Sequence, residues 1–114
     1  MESEEMPEEI KASHILISYQ GASRADADIK RSKEAANSEA QRIHKLVTSE
    51  GKDFAEMAIK HSDGPSGPKG GDLGKFKFEV MAKPFSEAAF ALDVGAISEV
   101  VETDFGFHII KRTE

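Results

Sequence analysis

The chain has 114 residues, the usual length of one domain, and is large enough to bury a core without disulfides or metals. Its net charge of −6 and pI near 5.2 argue against nucleic acid as the main partner, because phosphate binding relies on clustered Lys and Arg. Cysteine is absent and no apolar run approaches the length of a membrane span, so we expect a soluble monomer with neither disulfides nor a membrane partner.

The first ten residues differ in character from the rest of the chain. Residues 1 to 10 are mostly acidic and include Pro7, so we expect a mobile tail ahead of a single domain at residues 11 to 114. This segment is acidic where a signal peptide is basic and then apolar, and the cytoplasm is therefore the expected compartment.

The next elements are a strand, a loop and a long helix. "ASHILIS", residues 12 to 18, reads as a strand, whereas residues 19 to 28 lack a clear period and suggest an exposed loop. A long helix from about residue 26 or 32 to residue 50 follows. It is predicted by apolar residues at spacings of three and four, namely Ala36, Ala40, Ile43 and Val47. Gly51 is its expected C-terminal stop.

A second, short helix and a Gly-rich loop follow. Asp53 and Glu56 have the spacing of a capping box, which predicts a helix at residues 54 to 60. Residues 62 to 71, "SDGPSGPKGG", contain so much Gly and Pro that they indicate a structured loop. A short strand, "DLGKF", comes directly after this loop.

The C-terminal part is predicted to contain one helix and two strands. "PFSEAAFAL", residues 84 to 92, has the pattern of a short helix, and residues 97 to 103 alternate as a strand. A tight turn at Asp104 and Gly106 leads into the last strand, about residues 107 to 113. The order βααβαββ predicts an α+β domain whose helices pack on a small, largely antiparallel sheet.

Two of the predicted strands each carry a histidine among apolar residues. His14 and His108 could each be a core histidine whose nitrogens are satisfied by neighbouring groups. If the first and last strands are neighbours at the centre of the sheet, the two rings can face each other and share a hydrogen bond. Both rings of such a pair cannot readily be protonated to imidazolium, because two like charges would lie side by side.

Other kinds of site find little support in the residues. A zinc site is not expected, because Cys is absent and no His pair has the short spacing of a metal motif. No GxSxG elbow marks a nucleophilic serine, and the Gly-rich loop lacks the spacing of a phosphate-binding loop. His44 and His61 lie on predicted helices and are most simply surface or cap residues.

Four motifs in order give the chain a more specific resemblance. "ASHILIS", "GGDLGKF", "MAKPFSEAAFAL" and "VGAISEVVETDFGFHIIKRTE" closely resemble a parvulin-type peptidyl-prolyl isomerase (rotamase) domain over about residues 11 to 114. The resemblance implies a four-stranded, largely antiparallel sheet surrounded by helices. It also implies an enzyme that rotates the peptide bond before proline without a cofactor.

The same resemblance assigns roles to individual residues. It places His14 and His108 as the paired histidines at the floor of the site, with Thr103 hydrogen-bonded to the pair. It also implies a set of apolar side chains that bind substrate, with three around the proline ring and two more beside it, namely Leu73, Met81, Phe85, Phe105 and Phe76.

One position departs from the family pattern. Many members have Cys or Asp in the loop after the second helix, at the position that an ungapped count assigns to Gly64. Here the acid is Asp63, one residue earlier. We expect Asp63 to supply the missing polar group through a local shift of the loop. The alternative is that this group is dispensable here, in which case Asp63 is a capping or turn-forming residue.

The residues also bear on which substrates are favoured. Phosphate-directed members of the family have a basic cluster in the loop after the first strand, but here Ser18 stands where a lysine would serve. Within this loop Arg24 is the only cation before Lys30, and Asp26 and Asp28 offset it. We therefore expect an isomerase that is not specific for phosphorylated substrates. The apolar wall expected at Phe105 favours substrates with an apolar residue before proline. The expected function is assistance of protein folding, and the alternatives are a chaperone-like binding module and a structural module of a larger assembly.

Overall fold

The computed structural model describes residues 7 to 114 and contains one four-stranded sheet with three α-helices. The strands lie in the order β2-β1-β4-β3, and all three neighbouring pairs are antiparallel, so the predicted fold class is confirmed. In chain order the elements are β1 (Glu9–Ile17), α1 (Lys33–Thr48), α2 (Phe54–His61), β2 (Asp72–Lys77), α3 (Lys83–Ala91), β3 (Val101–Thr103) and β4 (Gly106–Arg112).

The start of the domain lies earlier than the sequence indicated. Strand β1 begins at Glu9, and Ile10 is fully buried, so the expected tail was two residues too long. Residues 1 to 6 of that tail lie outside the described residues. Helix α1 takes the later of the two predicted starts because Ser32 caps it, its hydroxyl accepting a hydrogen bond from the Ala35 amide.

Strand β3 is shorter than predicted because its pairing with β4 is interrupted. Val101 pairs with His108, whereas Ile97 pairs with Lys111 in an isolated bridge, so the β3 side has one residue too many between these points. Next to the break, the Ser98 hydroxyl accepts a hydrogen bond from the Ile110 amide. The Ser98 side chain thus accepts the hydrogen bond that the backbone of a regular strand would have accepted.

Side chains alternate between the two faces of the sheet, and this alternation places the histidines. One face is covered by α1 and α2, which pack on Ile15, Ile17, Phe107 and Ile109. Helix α3 covers the other face, where it packs on residues that include Ile10, Ala12, Phe76 and Ile110. Because side chains in a strand alternate with period two, His14 and His108 project from the α3 face. In residues 7 to 114, no helix has both the length and the hydropathy needed to cross a membrane.

Two glycines in the predicted loop and second strand shape the floor of this face. Gly71 has φ +86°, and a β-carbon there would overlap the carbonyl oxygen of His14, while its own carbonyl accepts the His14 amide at 2.9 Å. Gly74 has φ +72° and lies where β2 has one residue more than β1. The bulge lets Leu73 and Phe76, three residues apart, pack on the same cluster.

Candidate functional site

The centre of the site is a hydrogen bond between two histidines on the two central strands. His14 and His108 are diagonal neighbours, since His14 pairs with Ile110 and His108 with Leu16 across the same ladder. Their Nδ1 atoms lie 3.0 Å apart, and the ring planes differ by only 21°. The predicted contact between the two rings is thus confirmed.

Thr103 joins the pair from β3 and determines which nitrogens carry protons. Its Oγ1 lies 2.7 Å from Nε2 of His108 and accepts the Phe105 amide at 3.1 Å. Within residues 7 to 114, His108 offers the one acceptor within hydrogen-bond distance of the Thr103 hydroxyl proton, so we assign the hydroxyl as the donor. His108 then donates from Nδ1 to His14, and His14 keeps its proton on Nε2.

Both imidazoles are held neutral by their surroundings. Burial lowers the pKa of His14 from 6.5 to about 4. Burial, followed by the repulsion from His14, lowers the pKa of His108 to about 3. At neutral pH the pair therefore presents an uncharged surface, and a second proton between the two Nδ1 atoms would abolish their hydrogen bond.

An apolar cavity of about 250 Å³ lies over the histidines. Phe85 from α3 forms its inner wall and packs edge-on against both rings, with centroid distances of 5.5 Å to His14 and 5.1 Å to His108. Three further apolar residues that the sequence assigned to the site also line it, namely Leu73, Met81 and Phe105.

Phe76 is the exception among the assigned side chains. It is buried beneath the cavity and does not line it, and its ring lies 6.1 Å from that of Phe85 and 5.9 Å from that of Phe90. Its assignment to substrate binding was therefore wrong. It packs in the core behind Phe85 and supports the wall from the inside.

The loop after α2 brings Gly64, not Asp63, toward the histidines. A β-carbon at Gly64 would make ordinary contact with Nε2 of His14 and with Leu16. The Asp63 carboxylate points to the loop after β1, where its Oδ2 accepts hydrogen bonds from the Ser18 amide at 2.9 Å and from Arg31 at 2.5 Å. The expected loop shift is absent, and within residues 7 to 114 the structure places no side chain from this loop where the family's Cys or Asp would contact His14.

Several residues that line the cavity were not predicted from the sequence. Leu16 could have been found, because it lies two residues after His14 and so shares its side of β1. Ala82 and Ile29 also line the cavity. Ile29 comes from the irregular loop before α1, whose path no periodic pattern reveals.

Comparison with known proteins decides the family. A model of the PPIC-type PPIase domain matches residues 1 to 114. The chain belongs to the parvulin family of peptidyl-prolyl cis-trans isomerases. This parvulin is 44% identical to the peptidyl-prolyl cis-trans isomerase Pin1 of Digitalis lanata, over 93% of this chain and 97% of the relative. It is 45% identical to Pin1 of Arabidopsis thaliana, over 93% and 96%.

Solved structures agree with this parvulin in fold. The peptidyl-prolyl isomerase ESS1 of Candida albicans superposes with a TM-score of 0.90 at 32% identity, covering 94% of this chain and 63% of that one. The solution structure of TbPIN1 superposes with a TM-score of 0.84 at 39% identity, covering 96% and 100%.

The geometry suits an isomerase that makes and breaks no covalent bond. The bond before proline resists rotation with a barrier of about 18 to 20 kcal/mol, because its C–N bond has partial double-bond character. A cavity that grips the proline ring while the preceding carbonyl swings can favour the twisted amide over the planar one. The neutral histidine pair gives such a cavity a rigid floor with one N–H, at Nε2 of His14, on the Gly64 side.

Proposed function

We propose that this parvulin acts as a monomer on flexible segments with an apolar residue before proline, without requiring phosphate, and that it assists protein folding. The observation that carries the proposal is the make-up of the cavity wall. Among the described residues that line it, Arg24 is the only Lys or Arg, and most of the others are apolar.

Within this proposal the side chains divide into two groups. His14, His108 and Thr103 form the floor beneath the rotating amide, and their mutual hydrogen bonds keep the floor rigid. The proline ring occupies the apolar part of the cavity, where its burial supplies binding energy in proportion to the area removed from water. The residues that contact it are Leu73, Met81 and Phe85.

The loop after β1 supports a substrate without phosphate. Arg31 is committed to the Asp63 carboxylate and to the Ser18 carbonyl, at 2.5 and 2.9 Å. The neighbouring cleft is lined by three carboxylates and two cations, so a dianion placed there would meet more like than opposite charges. These residues are Asp26, Asp28 and Asp63 with Lys30 and Arg31. Phe105 instead offers an apolar wall to the residue before proline.

A role in folding is supported by one group of relatives. The foldase protein PrsA of Geobacillus sp. is 41% identical over 92% of this chain, although the match covers only 32% of that protein. A substrate recognised by apolar groups alone would be exposed in many unfolded chains, which suits a general folding helper.

The second candidate function is a binding module with little turnover. It is favoured by one observation, the absence of any side chain at Gly64 where the family's polar group would contact His14. Such a module would hold Pro-containing segments in the same cavity and release them without isomerisation.

Exchange spectroscopy on matched peptides tests the proposal. Peptides with Leu, Phe, Glu or phosphoserine before proline are compared at low and high salt, and light scattering gives the oligomeric state. We expect the apolar peptides to have the highest kcat/KM, with the gap to phosphoserine narrowing as salt rises because part of it is Coulombic. A phosphoserine preference at either salt contradicts the specificity, and binding without exchange favours the binding module.

A further inference from the structure

A chain of hydrogen bonds joins the loop after β1 to the histidine pair through Ser18. The Ser18 amide donates to Asp63, and the Ser18 hydroxyl donates to the carbonyl of Phe105 at 3.0 Å. The Phe105 amide in turn donates to Thr103, which is bonded to His108. Both backbone polar groups of Phe105 are thus held, one by Ser18 and the other by Thr103.

Ser18 lies at the edge of the cavity and is almost fully buried. The residue is only 1% exposed, and its hydroxyl donates to a carbonyl in the turn between β3 and β4. This turn has a second attachment to the same loop, because the Ser23 amide donates to the Asp104 carbonyl at 2.9 Å. The loop and the turn therefore form one unit at the mouth of the cavity.

Phe105 is the part of this unit that needs support. It is the first residue after the exposed Asp104, its own side chain is only half-buried, and it lines the cavity on the side of the turn. The next residue, Gly106, has φ +137° and packs so closely on Ile17 and Ser18 that a β-carbon would not fit. Without the bond from Ser18, the Phe105 carbonyl would lose its hydrogen bond to the loop after β1.

We propose that Ser18 is a positioning residue that fixes the Phe105 wall and thereby sets the preference for an apolar residue before proline. This inference rests on the proposed function and deepens it. The Ser18 hydroxyl donates to the Phe105 carbonyl and so holds the aromatic wall in place. Selectivity among apolar peptides should then depend on a hydroxyl that is bonded to the Phe105 carbonyl.

The test compares Ser18→Ala with Ser98→Ala. Ser98 is a matched control, since it is also buried, and its hydroxyl also donates to a backbone carbonyl, that of Glu99, away from the cavity. The readout is the ratio of kcat/KM for a Phe-Pro peptide to that for an Ala-Pro peptide. We expect Ser18→Ala to lower this ratio about five-fold, chiefly through KM, the effect of one hydrogen bond. Ser98→Ala should leave the ratio unchanged.

Two further variants separate positioning from a general loss of stability. In a Phe105→Ala background, Ser18→Ala should have no additional effect on the ratio, because the wall that it positions is gone. Ser18→Cys keeps the shape and a weak donor, and should give an intermediate ratio even if the alanine variant folds poorly. A ratio that is unchanged in both Ser18 variants, or that falls equally with and without Phe105, overturns the proposal. If the unmodified protein itself shows no exchange activity, the proposed function is refuted instead.

Discussion

A β-carbon on Gly64 would stand 3.6 Å from Nε2 of His14, in ordinary contact and without strain. This position therefore accepts a side chain. Any group attached there meets Nε2 of His14, the one ring nitrogen of the pair without a hydrogen bond among the described residues. The electrostatics of the histidine pair can be changed from this single position.

We predict that Gly64→Asp raises the pKa of His14, because a carboxylate beside an imidazole stabilises its charged form. The increase should be at least about one unit above the present value near 4, within the range of close opposite charges. NMR titration of the His14 ring measures it, and the acid limb of the activity profile should move to higher pH by a similar amount. Gly64→Asn, which has the same shape without the charge, is the control. Equal titration of the two variants would mean that the carboxylate does not reach Nε2.

Removal of one histidine should destabilise the fold as well as the site. His108→Phe leaves the buried Nδ1 of His14 and the Thr103 hydroxyl unpaired, and we expect a loss of about 1 to 3 kcal/mol in the free energy of unfolding. Activity should fall at the same time. Urea denaturation measures the change, with His44→Asn as a control at a partly exposed histidine outside the cavity.

A double-mutant cycle sharpens this prediction. His14→Phe combined with His108→Phe should cost less than the sum of the single changes, since neither ring then leaves the other unpaired. If the costs simply add, the two rings stabilise the fold independently of each other. If a single change abolishes activity at full stability, the pair acts in the chemistry without supporting the fold.

Stability should depend on pH through the same two rings. Their pKa values are lowered in the folded state, so the unfolded chain takes up protons below about pH 6.5 while the folded protein does not. The free energy of unfolding therefore has its full value above that pH. As pH falls toward 4 it decreases by up to about 1.4 kcal/mol per pH unit for each histidine. Urea titrations between pH 7.5 and 4.5 check this. The double phenylalanine variant should show a much flatter dependence, and an equally steep one would assign the effect to other groups.

Asp63 should act on binding more than on turnover. Asp63→Ala removes the partner of Arg31 and of the Ser18 amide but touches neither histidine, so we expect KM to rise about two- to five-fold with kcat little changed. Asp63→Asn keeps an acceptor for the Ser18 amide, so its KM should lie between those of the unmodified protein and Asp63→Ala. A fall in kcat at constant KM would instead show that Asp63 does replace the missing polar group.

Local patterns were sufficient to predict the histidine pair but not the surroundings of Phe76. His14 and His108 alternate with apolar neighbours on strands that an α+β domain places side by side, and Thr103 follows from the family resemblance. For Phe76 the sequence shows an aromatic residue in the right motif. Its depth depends on the bulge at Gly74, which is created by pairing with β1 and has no signal within the strand itself.

The contacts around Asp63 show the same limit. Sequence spacing places Asp63 one residue from the family's polar position, but the direction of its side chain depends on Arg31 and Ser18, which belong to a distant loop. The break in β3 also depends on a distant partner, the Ile110 amide. Contacts between segments far apart in the chain decide these features, and no local periodicity encodes them.

The two histidines are separated by 94 positions in the sequence. In chain order one lies in the first strand, β1, and the other in the last strand, β4. The floor of the cavity therefore cannot exist until β4 has docked beside β1, which is a contact of high sequence separation and a slow one to form. A nascent chain from which β4 has not yet emerged can already pack α1 and α2 against β1, but it has no isomerase site. Catalytic activity thus reports completion of the whole sheet, and a refolding experiment followed by turnover would time the arrival of the last strand.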